Sequence, residues 1–216
     1  MFPKKSSLKL NSAMTKEVTN ETIIIFDFDG TITTKDTMLD FVRWHFGLIK
    51  FSLGMLKILP KIILYKIGLI SNQKAKEDFL THFFGGMEYD EFVELCKNYS
   101  LSEIDGMVKK EAEEKIKFYR THGHKMIIIT ASILQWVEPW ALKAGFAKVL
   151  ASEIEVKNSK VTGKIMGKNC YGIEKVNRFI SEYNSFQNYH TVCFGDSKGD
   201  FEILRSSNKS YYKKYE

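Results

Sequence analysis

Three short apolar runs along the chain each end in a cluster of polar residues. They cover residues 22–28, 125–130 and 189–194. Apolar runs of this length that stop at turn residues predict buried strands. The first run ends at Asp29-Gly30, the second in hydroxyl residues, and the third in Gly195-Asp196-Ser197.

Helical periodicity separates the later strands, over residues 136–144 and 173–183. Strands that alternate with helices predict a doubly wound, parallel α/β sheet whose functional site lies at the carboxyl ends of its strands. Residues 153–165 instead alternate between apolar and polar positions around Asn158-Ser159, which predicts a β-hairpin.

A long interval, from about residue 36 to 124, separates the first two strands. It is far longer than a crossover helix needs, and it has helical character with breaks near Ser71, Gly85 and residues 100–105. We therefore predict a helical cap over residues 37–115, inserted into a catalytic core of residues 21–36 and 116–216. The polar residues 1–20 have no apolar core of signal-peptide length and are predicted to be a disordered leader.

Residues 44–70 form the most apolar part of the predicted cap, with four lysines interspersed and Pro60 dividing the segment. So many charges argue against a transmembrane span. One interpretation is two cap helices packed on one another. The other is an amphipathic surface that contacts lipid or a long apolar substrate, with the lysines at the headgroups.

Composition narrows the classes of function only slightly. The chain has 216 residues, 44% of them hydrophobic, and a net charge of +6. This charge suits an anionic substrate, an anionic membrane or nucleic acid, but the aromatic and basic residues are not interleaved as in single-strand binders, so no nucleic-acid partner is predicted. Three widely spaced cysteines favour a reducing compartment, and we expect a cytoplasmic protein, with membrane association left open.

Asp27 and Asp29 are the first candidate functional residues. Two carboxylates two positions apart at the end of a buried strand point to the same side if the chain stays extended. Burying like charges is unfavourable without a compensating cation. Asp196, at the end of another predicted strand, supplies a further carboxylate, and such oxygen ligands suit Mg²⁺. The alternative for Asp29 alone is a residue that opens the Gly30-Thr31 turn.

Four motifs occur in order along the chain. They are Asp27-Phe28-Asp29-Gly30-Thr31-Ile32-Thr33, Ile129-Thr130-Ala131-Ser132, Lys175, and Gly195-Asp196-Ser197-Lys198-Gly199-Asp200. This set resembles the haloacid dehalogenase superfamily of phosphatases, subclass IB, the branch with the phosphoserine phosphatases. The resemblance covers about residues 21–212 and implies a Rossmann-like core with a cap inserted after the first strand.

The resemblance implies a role for each motif. Asp27 is expected to attack phosphorus and form an aspartyl-phosphate, and Asp29 to act as general acid and then general base. Both, Asp29 through its backbone carbonyl, are expected to bind Mg²⁺ together with Asp196. Asp200 is expected to support the metal shell through water or to orient other groups, and could alternatively cap the last helix.

The substrate phosphate is expected to meet Thr130, Ala131 and Lys175. Lys175 would also pair with Asp27. Thr130 could instead cap a helix, and Ser132 competes with it for both roles.

The substrate is less defined than the reaction. Serine-specific members of the superfamily carry a Glu where this chain has Asp36, and a cap arginine in a sequence context that is missing here. The Asp36-Thr37 pair, the apolar cap and Pro139-Trp140-Ala141 look more like the branch near bacterial phosphatidylglycerophosphate phosphatases. We therefore expect a small or lipid-like phosphate monoester, and phosphoserine is an alternative.

Other functions stay open at this stage. The same fold could transfer phosphate to an acceptor other than water, as a phosphotransferase or mutase. A non-catalytic membrane-surface protein, a phospho-receiver domain and a dehalogenase are more remote. The complete set of motifs disfavours the non-catalytic protein. The long insert and the last motif disfavour the receiver domain, and the second aspartate of the first motif disfavours the dehalogenase.

Overall fold

The computed structural model describes residues 21–215, so the predicted leader of residues 1–20 lies outside the described residues. Five parallel strands form one sheet in the order β3-β2-β1-β6-β7. Their bounds are β1 Thr22–Phe26, β2 Lys125–Ile133, β3 Lys148–Ser152, β6 His190–Gly195 and β7 Lys209–Tyr212. A second, antiparallel pair consists of β4 Ile154–Lys157 and β5 Lys160–Ile165.

The three strands predicted from apolar runs form the centre of the sheet. β1 lies between β2 and β6, and Ile24 pairs with Met126 on one side and Val192 on the other. Both faces of β1 are buried, which explains its unbroken run of isoleucines. The two outer strands, β3 and β7, did not stand out in the sequence.

Helices cover both faces of this sheet, as the predicted α/β fold requires. The helices α4 (Lys110–Thr121) and α5 (Leu134–Ala144) pack on one face, in the same apolar core as Phe26. The helices α6 (Ile173–Tyr183) and α7 (Phe201–Ser206) pack on the other. The bounds of α6 are those predicted.

The cap interval is helical, with α1 over Thr37–Lys66, α2 over Asn72–Phe84 and α3 over Tyr89–Glu103. One detail of the prediction is wrong. Pro60 does not divide the first segment; the interruption is at Gly47, whose φ of 74° is outside the helical range. The predicted break at residues 100–105 is present, because α3 ends at Glu103 and is followed by a short 3-10 turn over Ile104–Met107. The division of the chain into cap and core stays a prediction.

The predicted hairpin is present as β4 and β5, and its turn residues Asn158 and Ser159 both have positive φ. The hairpin is bonded to the link between α2 and α3: the Gly86 amide donates to Val161 and the Val161 amide donates to Met87. Gly163 lies directly against α2, where a Cβ atom would overlap the backbone of that helix. The hairpin therefore holds α2 at a fixed position.

Trp136 and Trp140 of α5 are both buried. The Trp136 indole donates to the Thr37 hydroxyl over 3.2 Å. No helix within residues 21–215 is both long enough and apolar enough to cross a membrane.

Candidate active site

The carboxyl ends of the three central strands meet at one edge of the sheet. β1 continues into Asp27, whose amide donates to the carbonyl of Phe194 in β6 over 2.9 Å. Thr130 lies near the end of β2, and Asp196 directly follows β6. The sheet thus brings together three segments that are about 100, 66 and 169 residues apart in sequence, because parallel strands end at the same edge.

A buried lysine joins two of the carboxylates. The Lys175 ammonium donates to Asp27 Oδ1 over 2.6 Å and to Asp200 Oδ1 over 2.5 Å. All three side chains are almost completely buried. α6 carries Lys175 in its first turn, on the same buried face as Val176 and Phe179, which pack on the sheet. The pattern of apolar residues in α6 therefore fixes where this cation lies.

Burial and charge act in opposite directions on these groups. Burial raises the pKa of Asp27 to about 7, although Lys175 opposes the increase. Burial would raise the pKa of Asp200, but Lys175 and hydrogen bonds from Ser197 hold it below its ordinary value. Burial would lower the pKa of Lys175, but the two carboxylates raise it, so the lysine is cationic.

Asp200 is held by the loop that follows β6. Its Oδ2 accepts hydrogen bonds from the Ser197 amide over 2.9 Å, the Ser197 hydroxyl over 2.8 Å and the Asp196 amide over 3.2 Å. With Lys175 on Oδ1, this carboxylate orients both the cation and the loop. The prediction that Asp200 supports the site is consistent with this position.

Asp196 approaches the first loop because residue 30 is a glycine. Gly30 has a φ of 77°, and a Cβ atom there would overlap the Asp196 carboxylate. Thr31 donates to Asp196 Oδ1 over 3.2 Å and lies 3.4 Å from Asp27 Oδ2. Burial and the neighbouring Asp200 raise the pKa of Asp196. The Gly-Thr pair of the first motif therefore positions two carboxylates on either side of one hydroxyl.

Asp29 points away from this cluster. Its Oδ1 accepts from the Thr37 amide over 2.7 Å, and its Oδ2 accepts from the Ser132 hydroxyl. Burial, and then the nearby Asp36, raise its pKa to about 6. The Asp29 carboxyl group is thus separate from the lysine-bound pair. Its pKa of about 6 is close to neutral pH, which suits proton transfer.

Thr130 and Ser132 have different roles at the end of β2. Thr130 is buried, and its hydroxyl oxygen accepts from the Ser132 amide over 3.1 Å, while Ser132 contacts Asp29. The sequence identified both hydroxyls without assigning Ser132 to Asp29. The contact depends on the course of the chain from residue 29 to residue 37, which the motif alone does not define.

One cation of the site was missed from the sequence. Lys76 of α2 lines the same cavity, and its ammonium donates to the Ala131 carbonyl over 2.7 Å and to Asn169 Oδ1 over 3.2 Å. Among residues 21–215 it has no carboxylate within ion-pair distance. Burial lowers its pKa, and Asp29 and Asp36 oppose the decrease. One sequence signal could have identified Lys76: Phe79 follows it by three residues, so the lysine lies on an apolar face of the helix.

A cavity of about 530 Å³ connects these groups. At its core end it is lined by the candidate site residues. At its cap end the lining is apolar and comes mainly from the inner side of α1 and from α2: Met38, Leu39, Met55, Ile58, Ile62, Tyr65, Ala75 and Phe79. The site therefore opens toward an apolar wall.

The carboxylates fit a hard divalent cation. Oxygen atoms of Asp27, Asp196 and Asp200 lie within 4.8 Å of one another, and only oxygen donors are present in this group. The four carboxylates of the site outnumber the single cation, Lys175, that bonds to them. The Asp29 carboxylate is not part of this group, so any contribution of Asp29 to a metal would come through its backbone, as predicted.

The comparisons with known proteins agree with this architecture. A family model described as haloacid dehalogenase-like hydrolase matches residues 24–205, and the chain belongs to that family. This confirms the predicted fold and the prediction of a haloacid dehalogenase-type enzyme.

Protein CicA of Caulobacter vibrioides is 27% identical over 208 residues, covering 95% of this chain and 92% of that protein. Probable phosphatase Rv3661 of Mycobacterium tuberculosis is 24% identical over 191 residues, 86% of this chain and 66% of that protein.

Solved structures show the same fold. A protein of unknown function from Bordetella pertussis superposes with a TM-score of 0.74 at 18% identity, covering 89% of each chain. A substrate-bound phosphoserine phosphatase superposes with a TM-score of 0.60 at 18% identity, covering 90% of this chain and 86% of that one.

Proposed function

We propose that this hydrolase is a magnesium-dependent phosphomonoesterase that works through an aspartyl-phosphate on Asp27. The observation that supports this most is the Asp27 carboxylate itself. One of its oxygens, Oδ1, is bonded to Lys175, and its other oxygen, Oδ2, lies 3.4 Å from the Thr31 hydroxyl. An oriented carboxylate beside a cavity, with a cation on one oxygen, is suited to nucleophilic attack on phosphorus.

In the first step, Asp27 Oδ2 forms a bond to phosphorus while the ester P–O bond breaks. Asp29 gives its proton to the departing alkoxide, so an alcohol leaves and Asp27 carries the phosphoryl group. The raised pKa of Asp29, about 6, leaves a fraction of this carboxyl protonated near neutral pH. Lys175 and the hydroxyl of Thr130 contact the phosphoryl oxygens.

In the second step, a water molecule attacks the same phosphorus and the bond from phosphorus to Asp27 breaks. Asp29, now ionised, accepts a proton from that water and returns to its starting state. Inorganic phosphate leaves, and the Asp27 carboxylate is regenerated.

Asp27, Asp196 and the backbone of Asp29 would hold Mg²⁺, with Asp200 supporting them. The ion supplies positive charge that lets an anionic nucleophile approach an anionic phosphate. Within the superfamily, we place the chain in subclass IB, near the phosphatidylglycerophosphate phosphatase branch.

The apolar end of the cavity favours a phosphate monoester with an apolar, lipid-like leaving group. Most of the side chains around the space between α1 and Asp27 are hydrocarbon or aromatic, and burial of such a leaving group would contribute binding energy in proportion to its area.

Phosphoserine is a second candidate, supported by one specific pair of residues. Asp36 and Lys76 both line the cavity, and together they offer an anion for an ammonium and a cation for a carboxylate. A phosphotransferase reaction on the same intermediate is also compatible with the site. The three alternatives differ in product and substrate, so one set of assays separates them.

The mechanism is tested by Asp27→Asn in an assay of phosphate release from an aryl phosphate with Mg²⁺. We expect a loss of at least about 10³-fold in kcat, with an unchanged circular dichroism spectrum. Asp90→Asn, at an exposed aspartate of α3, is the matched control and should keep full activity. Retention of activity in Asp27→Asn would contradict the proposed nucleophile.

The intermediate and the acceptor are tested by single turnover in H₂¹⁸O. Water attack on phosphorus places one ¹⁸O in the released phosphate and none in Asp27. Label in Asp27 would instead mean that water attacks the carboxyl carbon. A phosphorylated alcohol, formed when alcohols are added, would identify a phosphotransferase. A substrate panel with phosphoserine and a lysophosphatidate then assigns the leaving group.

A further inference from the structure

The helix α1 exposes an apolar surface on the side that faces away from the protein. We call this the outer face of α1 and define it by residues spaced three or four apart: Ile49, Leu53, Leu56, Leu59, Ile63 and Ile67. Their exposed fractions range from 45% for Leu59 to 77% for Ile49. On a surface helix this side is ordinarily polar.

The opposite side of the same helix is already occupied. Gly54 and Ile58 are buried, and Phe83 of α2 lies so close to Gly54 that a Cβ atom would overlap its ring. The outer face is therefore not needed for packing α1 on α2. A helix that is apolar on two opposite sides normally has a partner on each of them, and among residues 21–215 nothing covers the outer face.

The charges around this face indicate what covers it. Residues 41–76 include no Asp or Glu and contain seven basic residues: Arg43, Lys50, Lys57, Lys61, Lys66, Lys74 and Lys76. Lys61 and Lys74 are paired with Asp78. Lys50, Lys57 and Lys66 have no ion pair among residues 21–215. A second copy of this chain would bring the same unpaired cations into contact, whereas an anionic lipid surface would neutralise them.

The inner side of α1 links this surface to the candidate active site. Met55, Ile58, Ile62 and Tyr65 line the cavity that contains Asp27. The helix thus separates the cavity from the outer face by its own width, about 10 Å. A lipid molecule in a membrane beneath the outer face would be close to the apolar end of the cavity.

We propose that the outer face of α1 docks on the surface of an anionic membrane, with Leu53, Leu56 and Ile63 in the acyl region and Lys50, Lys57 and Lys66 at the headgroups. The helix lies in the interface plane and does not span the bilayer. This orientation presents membrane phosphate monoesters to Asp27, a consequence that rests on the proposed function.

Vesicle flotation tests the docking without requiring catalysis. The probes are vesicles of phosphatidylcholine alone and of phosphatidylcholine with phosphatidylglycerol, and we expect the protein to float with the anionic vesicles only. A lysine near such a surface contributes roughly a fivefold gain in partitioning, so Lys50→Glu/Lys57→Glu should lower partitioning by at least about 25-fold. The control variant Lys97→Glu/Lys110→Glu makes the same charge change on α3 and α4. It should partition onto anionic vesicles far better than Lys50→Glu/Lys57→Glu.

The apolar contribution is tested by Leu53→Glu/Leu56→Glu, at positions exposed enough to leave the fold intact. Leu142→Glu, at a position 59% exposed on α5, is its control. We expect the first variant to lose flotation and the control to retain it. Equal flotation of both, or a wild-type protein that floats with neither vesicle, would overturn the proposal, as would a stable dimer in sedimentation that the Leu53→Glu/Leu56→Glu variant disrupts.

Activity assays separate this proposal from the proposed function. Asp27→Asn should float like the wild type, because docking does not use the nucleophile. Leu53→Glu/Leu56→Glu should hydrolyse a soluble aryl phosphate at the wild-type rate and lose activity only toward a lipid phosphate in vesicles. Flotation without hydrolysis of any phosphate would contradict the proposed function and leave the docking standing.

Discussion

Replacing Lys175 with Met should destabilise the metal-free protein more than the loss of any surface lysine. Lys175 is 3% exposed and bonds to two carboxylates, at 2.6 and 2.5 Å. Methionine fills a similar volume without the charge, so the substitution leaves Asp27 and Asp200 buried without their shared cation. Breaking a buried pair in this way costs about 3–5 kcal/mol.

Two features of the site lead us to expect a loss of unfolding free energy near the lower end of that range. Asp27 already has a pKa raised to about 7, so it can take up a proton when the lysine is gone. Asp200 keeps three hydrogen bonds from the loop at Ser197. We therefore expect a loss of about 3 kcal/mol, equivalent to a decrease in Tm of roughly 6–12 °C for a chain of this size.

The measurement is urea denaturation in a chelating buffer, with Lys148→Met as control. Lys148 pairs with Glu182 at 3.2 Å, but both side chains are more than a third exposed, so its loss should cost at most about 1 kcal/mol. Asp27→Asn/Lys175→Met should be more stable than Lys175→Met, because one uncompensated carboxylate is removed. Equal losses for the two lysine variants would refute the argument that burial makes the difference.

Three further predictions concern the cavity. Gly30→Ala should reduce the increase in Tm that Mg²⁺ produces in thermal denaturation, because the new Cβ displaces the Asp196 carboxylate; an unchanged Mg²⁺ response would show that this carboxylate is not a ligand. Ser132→Ala should lower kcat by about 10-fold or more with little change in KM for an aryl phosphate, because Asp29 loses a hydrogen bond that orients it. Lys76→Met should mainly raise KM for anionic leaving groups such as phosphoserine, and an equal effect on an uncharged aryl leaving group would argue against direct contact with the substrate.

The sequence predicted the centre of the fold because the relevant patterns are local. The isoleucines of β1 form the short unbroken apolar run of a strand buried on both faces, and the buried Val176, Phe179 and Tyr183 of α6 follow the period of a helix. The polar clusters after each strand then predicted which residues converge. The strand ends indicated that Asp27 and Asp196 lie close together, whereas Lys175 was indicated only by the resemblance to the haloacid dehalogenase superfamily.

Other features depend on contacts that are distant in sequence. Lys76 of α2 lines the cavity through its contact with the Ala131 carbonyl, 55 residues away in sequence. Ser132 contacts Asp29 across a separation of 103 residues. The strand β7 is short, polar and at the edge of the sheet, so its sequence carries little strand signal. Proline ordinarily ends or kinks a helix, but α1 runs through the exposed Pro60 to Lys66.

The bonds between the hairpin and the cap also restrict how substrate can enter and leave. Gly163 packs against α2, and the link after α2 is bonded to β5, so α2 and the hairpin are joined directly. Gly47 in α1 has a positive φ and open space around it. Residues 48–66 are nevertheless held against α2, because Phe83 packs on Gly54 and Lys61 pairs with Asp78. Any opening of the cavity by this part of α1, which we expect to rest on lipid, would have to break these contacts.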